Sequence, residues 1–159
     1  MSACPLQVFV YGTLKSDERN HAPFCANAKK IEPATTRGEL YELPYGFPGL
    51  CVDNGKILAS GTADYAADTQ LQYDMTVPTP SEDLGTVHGE VITFDDPVLR
   101  LPALDGLEGY SPDEPSFYRR VLYPVDVSGE AILVWLYHIP RPTGEFLPDG
   151  RWPAAQTTV

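Results

Sequence analysis

Two short segments of this chain combine residue types that suit acid–base chemistry. The first is Leu104–Asp105–Gly106–Leu107–Glu108–Gly109–Tyr110. Leu101, Leu104 and Leu107 recur every third residue, which fits one buried face at the end of a short helix. Asp105 and Glu108 are also three apart, so they sit close together on the adjacent face, and Gly109 stops the helix. A carboxylate at a helix end beside a core face loses part of its hydration. Its pKa then rises toward the value a general acid/base needs. The second segment is Tyr11–Gly12–Thr13–Leu14–Lys15, where an apolar strand runs into glycine and a hydroxyl residue. Successive backbone N–H groups in such a loop can face one point and hold an anion such as a carboxylate. Taken singly, the first segment reads better as a solvated helix-end acid and the second as an ordinary strand-to-loop turn.

The elements that must position these residues follow from the pattern. Residues 7–11 (QVFVY) read as a strand closed by Gly12. A short helix is expected within 16–30, with Pro23 interrupting it or starting a new turn, and a strand over 35–43 closed by the turn-rich stretch 44–49. Residues 53–85 carry few large apolar side chains and read as a long acidic surface excursion. A strand over 86–94 precedes a helix opened by Pro97 and running to about Glu108. Residues 117–127 and 131–139 form a hairpin turning at Ser128–Gly129. The proline-rich tail from 140 is expected to be irregular and laid over the surface. Many strands, few short helices and abundant turns indicate one α+β domain over residues 1–159, built on a curved sheet or small barrel.

Composition excludes several classes. The 159 residues include 43% hydrophobic side chains, enough for a core. Sixteen prolines argue against a long-helix bundle. The net charge of −11 repels phosphate backbones, so nucleic acid is a poor partner. No apolar run is long enough to span a bilayer, and no secretory leader pattern opens the chain. Cys4, Cys25 and Cys51 show neither zinc nor disulfide spacing and read as reduced thiols, which fits a cytoplasmic protein. His21, His88 and His138 share no ligand spacing. The run from Gly49 to Lys56 has one residue too many for a phosphate loop. Asp105 and Glu108 as a glycosidase pair would stand too near each other to bracket a sugar bond.

In order along the chain, VFVYGTLK, GELYELPYGFPGL, VHGEVITFDDP, LPALDGLEGY, FYRRVLYPVDV and AILVWLYHI resemble the γ-glutamylcyclotransferase-like superfamily. The γ-glutamylamine cyclotransferase branch is the part they are most like. The resemblance implies a small mixed β-barrel with a few short flanking helices. It also implies an enzyme, of transferase or C–N lyase type, that turns a γ-glutamyl amine or amino acid into 5-oxoproline and free amine. In that family pattern Tyr11, Gly12, Thr13 and Leu14 line the substrate pocket, and Glu108 matches the catalytic glutamate. A small γ-glutamyl substrate is the implied partner, with no metal and no organic cofactor. A non-catalytic protein that kept the fold and binds a small carboxylate is the alternative. The excursion at 53–85 is longer than the resemblance leads one to expect. Residues 53–114 hold thirteen acids against Lys56 and Arg100, so the whole charge excess lies there. If that excursion rims the pocket, glutathione is disfavoured, and leaving amines with positive charge, such as lysine or a polyamine, are favoured. Arg120 is a candidate partner for Asp105 or Glu108.

Overall fold

In the computed structural model, residues 4–16, 18–19, 21–25, 27–79 and 83–153 are described. Three local signals place the elements that matter most. Ser128 and Gly129 both take positive φ (54° and 86°), the twist a two-residue hairpin needs. They join β7 (Arg119–Val127) to β8 (Glu130–His138), paired from Arg119↔His138 to Val127↔Glu130. Pro97 opens α3 (Pro97–Glu108), and Gly109, left-handed at φ 68°, ends it. The β-branched and aromatic run of β1 (Leu6–Val10) pairs antiparallel with β6 (Thr86–Phe94).

β2 (Lys30–Arg37) lies along the other side of β6 and meets β7 at Thr35↔Asp126, while β1 runs parallel to β8 at Val8↔Trp135. The order β2-β6-β1-β8-β7 therefore closes on itself as a five-stranded mixed barrel. This is the expected small α+β barrel with short flanking helices. Both faces of its strands are apolar. Phe9 of β1 and Tyr11 just beyond its end join Val87, Val91, Val121, Tyr123, Val125, Val134 and Leu136 in one buried set. Leu6, Val8 and Val10 join Trp135 and Tyr137 of β8, with Leu101 and Leu104 of α3, in the other. The alternation along each strand separates the two cores.

Two expectations need correction and two are met with added detail. The strand expected over 35–43 is broken at Gly38 into the end of β2 and β3 (Glu39–Glu42), because the space for a Cβ at Gly38 is filled by the Cys51 carbonyl 2.6 Å away. β3 pairs with β4 (Pro48–Cys51), which emerges from the turn-rich stretch, and with β9 (Glu145–Phe146). The segment 53–85 is no simple surface excursion. It contains β5 (Ala59–Ser60), paired to β7, and α2 (Tyr65–Asp74), which buries Asp68, Thr69 and Gln72. The tail expected to be irregular from 140 is so in its described residues apart from β9, and it is tied to the barrel: the His88 amide donates to Gly150 O, and buried Trp152 donates to Glu42. The short helix expected within 16–30 is α1 (His21–Cys25), with Pro23 in its first turn.

Candidate active site

Where β1 ends, the chain cannot continue into the ladder. Gly12 stands against β4, and a Cβ there would lie 2.7 Å from Pro48 Cγ, so only glycine allows this approach. The Lys15 amide turns back to Gly12 O, and the Lys15 ammonium reaches Trp152 O in the tail. Residues 11–14 thus form one wall of a cavity of about 670 Å³. The end of α3 forms another through Leu107, Glu108 and Gly109, and Phe47 and Pro48 close a third side. The sequence-predicted site residues Tyr11, Gly12, Thr13, Leu14 and Glu108 all line this one cavity. Tyr118 and Tyr137, which sequence reasoning did not place in the site, line it too.

Glu108 is half-buried, and its carboxyl makes no hydrogen bond or ion pair among the described residues. Burial, and then the nearby Asp105, push its pKa from 4.5 up to about 7. The carboxyl therefore sits where it can both take and return a proton near neutral pH. Around it stand three tyrosines whose hydroxyls stay protonated. Tyr11 is raised by burial and by Tyr118 and Glu108, Tyr118 by burial and Glu108, and Tyr137 by burial and Asp105. Tyr118 donates to Pro48 O, fixing the β4 wall. Tyr11 donates to Tyr137 O at 2.6 Å and accepts the Leu50 amide at 3.3 Å.

Asp105 does not face the cavity. It is buried against Arg120, with Nε 2.8 Å from Oδ1, and it accepts the Tyr137 hydroxyl at 2.6 Å. Arg120 has no exposed surface and also pairs with Asp68 of α2 at 2.9 Å. Burial works to discharge Arg120, but the hydrogen bonds and charge of Asp105 and Asp68 outweigh it. Rings of Trp135, Tyr110 and Tyr65 pack within 6 Å of the guanidinium, at 4.8, 5.7 and 5.9 Å. Arg120 thus pairs with Asp105 as anticipated, and with Asp68 rather than Glu108. Its second partner comes from 52 residues away, where no local pattern signals it.

The pocket-rim role conditionally assigned to 53–85 does not hold. None of its described residues lines the cavity, because α2 packs on α3, β8 and β1 instead. Glu108 is the only acid lining the cavity among the described residues, and Arg19 the only base. Among the described residues, no acidic rim is there to favour cationic leaving amines. Among the described residues no three His, Cys, Asp or Glu side chains are grouped to hold a metal ion, and no helix is long and apolar enough to cross a membrane.

Comparison with known proteins fits this arrangement. The family model for gamma-glutamyl cyclotransferase, AIG2-like, matches residues 8–73 and 61–154. The chain belongs to this gamma-glutamylcyclotransferase family. A Methanocaldococcus jannaschii protein provisionally named a gamma-glutamylcyclotransferase is 28% identical over 144 residues, covering 90% of this chain and 92% of its own. The mouse AIG2-like protein has a TM-score of 0.53 at 21% identity, over 87% of this chain and 80% of that one. YkqA from Bacillus subtilis reaches 0.58 at 22% identity over 93% of this chain, which spans only 39% of YkqA's length. PH0828 from Pyrococcus horikoshii reaches 0.55 at 16% identity, over 92% and 89% of the two chains. At such identities the structural likeness is one of fold. With the family match, the protein is an enzyme of gamma-glutamylcyclotransferase type.

Proposed function

We propose that the protein converts γ-glutamyl compounds to 5-oxoproline and free amine, with Glu108 as general acid/base. The observation that carries this reading is a half-buried Glu108, raised to about 7, in the same cavity as the Tyr11–Leu14 backbone. The reaction is intramolecular. The substrate's α-amine attacks its own γ-carbonyl, the ring C–N bond forms, and the γ-amide C–N bond breaks.

Attack needs a neutral amine, whereas at neutral pH that amine is mainly ammonium. Ionised Glu108 accepts the ammonium proton and then delivers it to the nitrogen of the leaving amine. After attack the ring nitrogen carries a second surplus proton, which passes by the same route to the leaving amine; the amine departs as an ammonium, the lactam keeps one N–H, and Glu108 returns to its ionised state. Positioned acid/base help of this kind is worth about 10²–10⁴-fold. Because both reacting groups belong to one molecule, the cavity's main task is to hold the folded-back conformer. The amides along Gly12–Leu14 supply donors for the α-carboxylate or the developing oxyanion.

Incubation with γ-glutamyl-ε-lysine, γ-glutamyl-alanine and glutathione, followed by measurement of 5-oxoproline, tests the reading. Release from at least one of them is expected. No release from any of the three would overturn it.

A further inference from the structure

We propose that the outer half of the cavity is a leaving-group subsite for an α-amino acid with an apolar side chain, its carboxylate held by Arg19. This rests on the γ-glutamyl reading above and names the substrate class within it. With the glutamyl amine at Glu108 and the glutamyl carboxylate on the Tyr11–Leu14 wall, the rest of the cavity is left to the leaving group. The wall in that direction is a run of rings. Tyr118, beside Glu108, lies 6.1 Å from Phe47, and Phe47 stacks 5.7 Å from Tyr45. Phe117 meets Tyr118 edge-on at 5.3 Å.

Tyr45 and Phe117 are 67% and 47% exposed, although each lines the cavity. Large aromatic faces left open beside a reaction centre gain by covering an apolar group. Arg19 stands at the outer end of this wall. Its Nη2 donates to Gly46 O at 3.1 Å, between Tyr45 and Phe47 in the chain. Among the described residues no carboxylate pairs with it. A guanidinium fixed by one donor keeps others for a carboxylate. It repels a cationic amine at the same place. An amino acid matches both features, with its side chain on the rings and its carboxylate on Arg19.

The test compares kcat/KM for γ-glutamyl-phenylalanine and γ-glutamyl-phenylalaninamide. Wild type should favour the acid about tenfold, the scale of one charge-assisted hydrogen bond. Arg19→Gln should bring that ratio to about one. Tyr45→Ala combined with Phe117→Ala should narrow the preference for γ-glutamyl-phenylalanine over γ-glutamyl-glycine several-fold. A ratio near one in wild type would overturn the proposal, as would a ratio kept in Arg19→Gln while both substrates slow together. The second result would place Arg19 on the glutamyl carboxylate. Faster turnover of γ-glutamyl-putrescine than of γ-glutamyl-phenylalanine would also overturn it. If no substrate releases 5-oxoproline, the functional reading fails on its own. Calorimetric binding of the intact acid and amide then reads the subsite without turnover: a tenfold difference abolished by Arg19→Gln supports it, and no difference overturns it.

Discussion

The Tyr137 hydroxyl donates to Asp105 Oδ1 at 2.6 Å, and through this bond two walls of the cavity are joined. Asp105 belongs to the last turn of α3, which presents Glu108 three residues later. The Tyr137 carbonyl accepts the Tyr11 hydroxyl at the start of the opposite wall. A barrel strand thus holds the proposed acid/base and the proposed anion-binding loop at a fixed separation. Catalysis that depends on a folded-back substrate needs such a fixed separation.

Arg120 anchors that strand and helix from below. Removing it leaves Asp68 and Asp105 buried without their shared cation, and breaking a buried pair in this way costs about 3–5 kcal/mol. Arg120→Met should show a loss of that size in urea unfolding. A loss below about 1 kcal/mol would contradict the burial described.

Gly12→Ala should damage activity by crowding. The new Cβ would meet the Pro48 ring at 2.7 Å, a rigid and buried neighbour. Relief requires the 11–14 wall to move from β4, and overpacking of this kind costs about 1–3 kcal/mol. We expect kcat/KM to fall at least about tenfold, with a lower melting temperature. Steady-state kinetics at wild-type level would contradict the close approach.

Glu108 should also be visible in stability. Burial and Asp105 raise its pKa from 4.5 to about 7, so the native state holds the proton more tightly than the unfolded chain. That contribution is fully present below pH 4.5 and is lost as pH rises through about 7. Glutamine stays neutral throughout. Glu108→Gln should therefore be more stable than wild type at pH 8, by about 2 kcal/mol after discounting for the group's partial exposure, and the gap should close near pH 4.5. Urea unfolding at the two pH values measures it; a gap independent of pH would contradict the shift.

His138 runs the opposite way. Burial, and then Arg119, lower its pKa from 6.5 to about 4. The native state resists protonation, so its contribution is intact above pH 6.5 and is lost as pH falls toward 4. An NMR titration of the imidazole should show a midpoint near 4. A midpoint near 6.5 would contradict its burial.

The barrel's local elements were legible because their signals are local: Pro97 and Gly109 bound α3, Ser128–Gly129 turn the hairpin, a β-branched and aromatic run marks β1, and apolar alternation marks β6. α2 was not legible because its buried side chains are polar. Asp68 is satisfied by Arg120, and Gln72 by the backbone of Gln7, both distant in sequence. Hydrophobic patterning cannot register a face that is buried by ion pairing. Likewise Tyr11–Leu14 and Glu108 stood out as motifs. Tyr118, Tyr137 and Arg19 reach the same cavity only because the barrel closes and the segment 44–49 folds beside it.

The central claim is that Glu108 carries the proton in 5-oxoproline formation. The most direct measurement is the rate of 5-oxoproline release by wild type and Glu108→Gln across pH, on whichever γ-glutamyl substrate wild type turns over best. Wild-type kcat/KM should rise on the acid side with a midpoint near 7, as Glu108 ionises. Glu108→Gln should be slower by about 10²–10⁴-fold and should lack that limb. Release by Glu108→Gln at the wild-type rate, with the limb intact, would remove Glu108 from the mechanism.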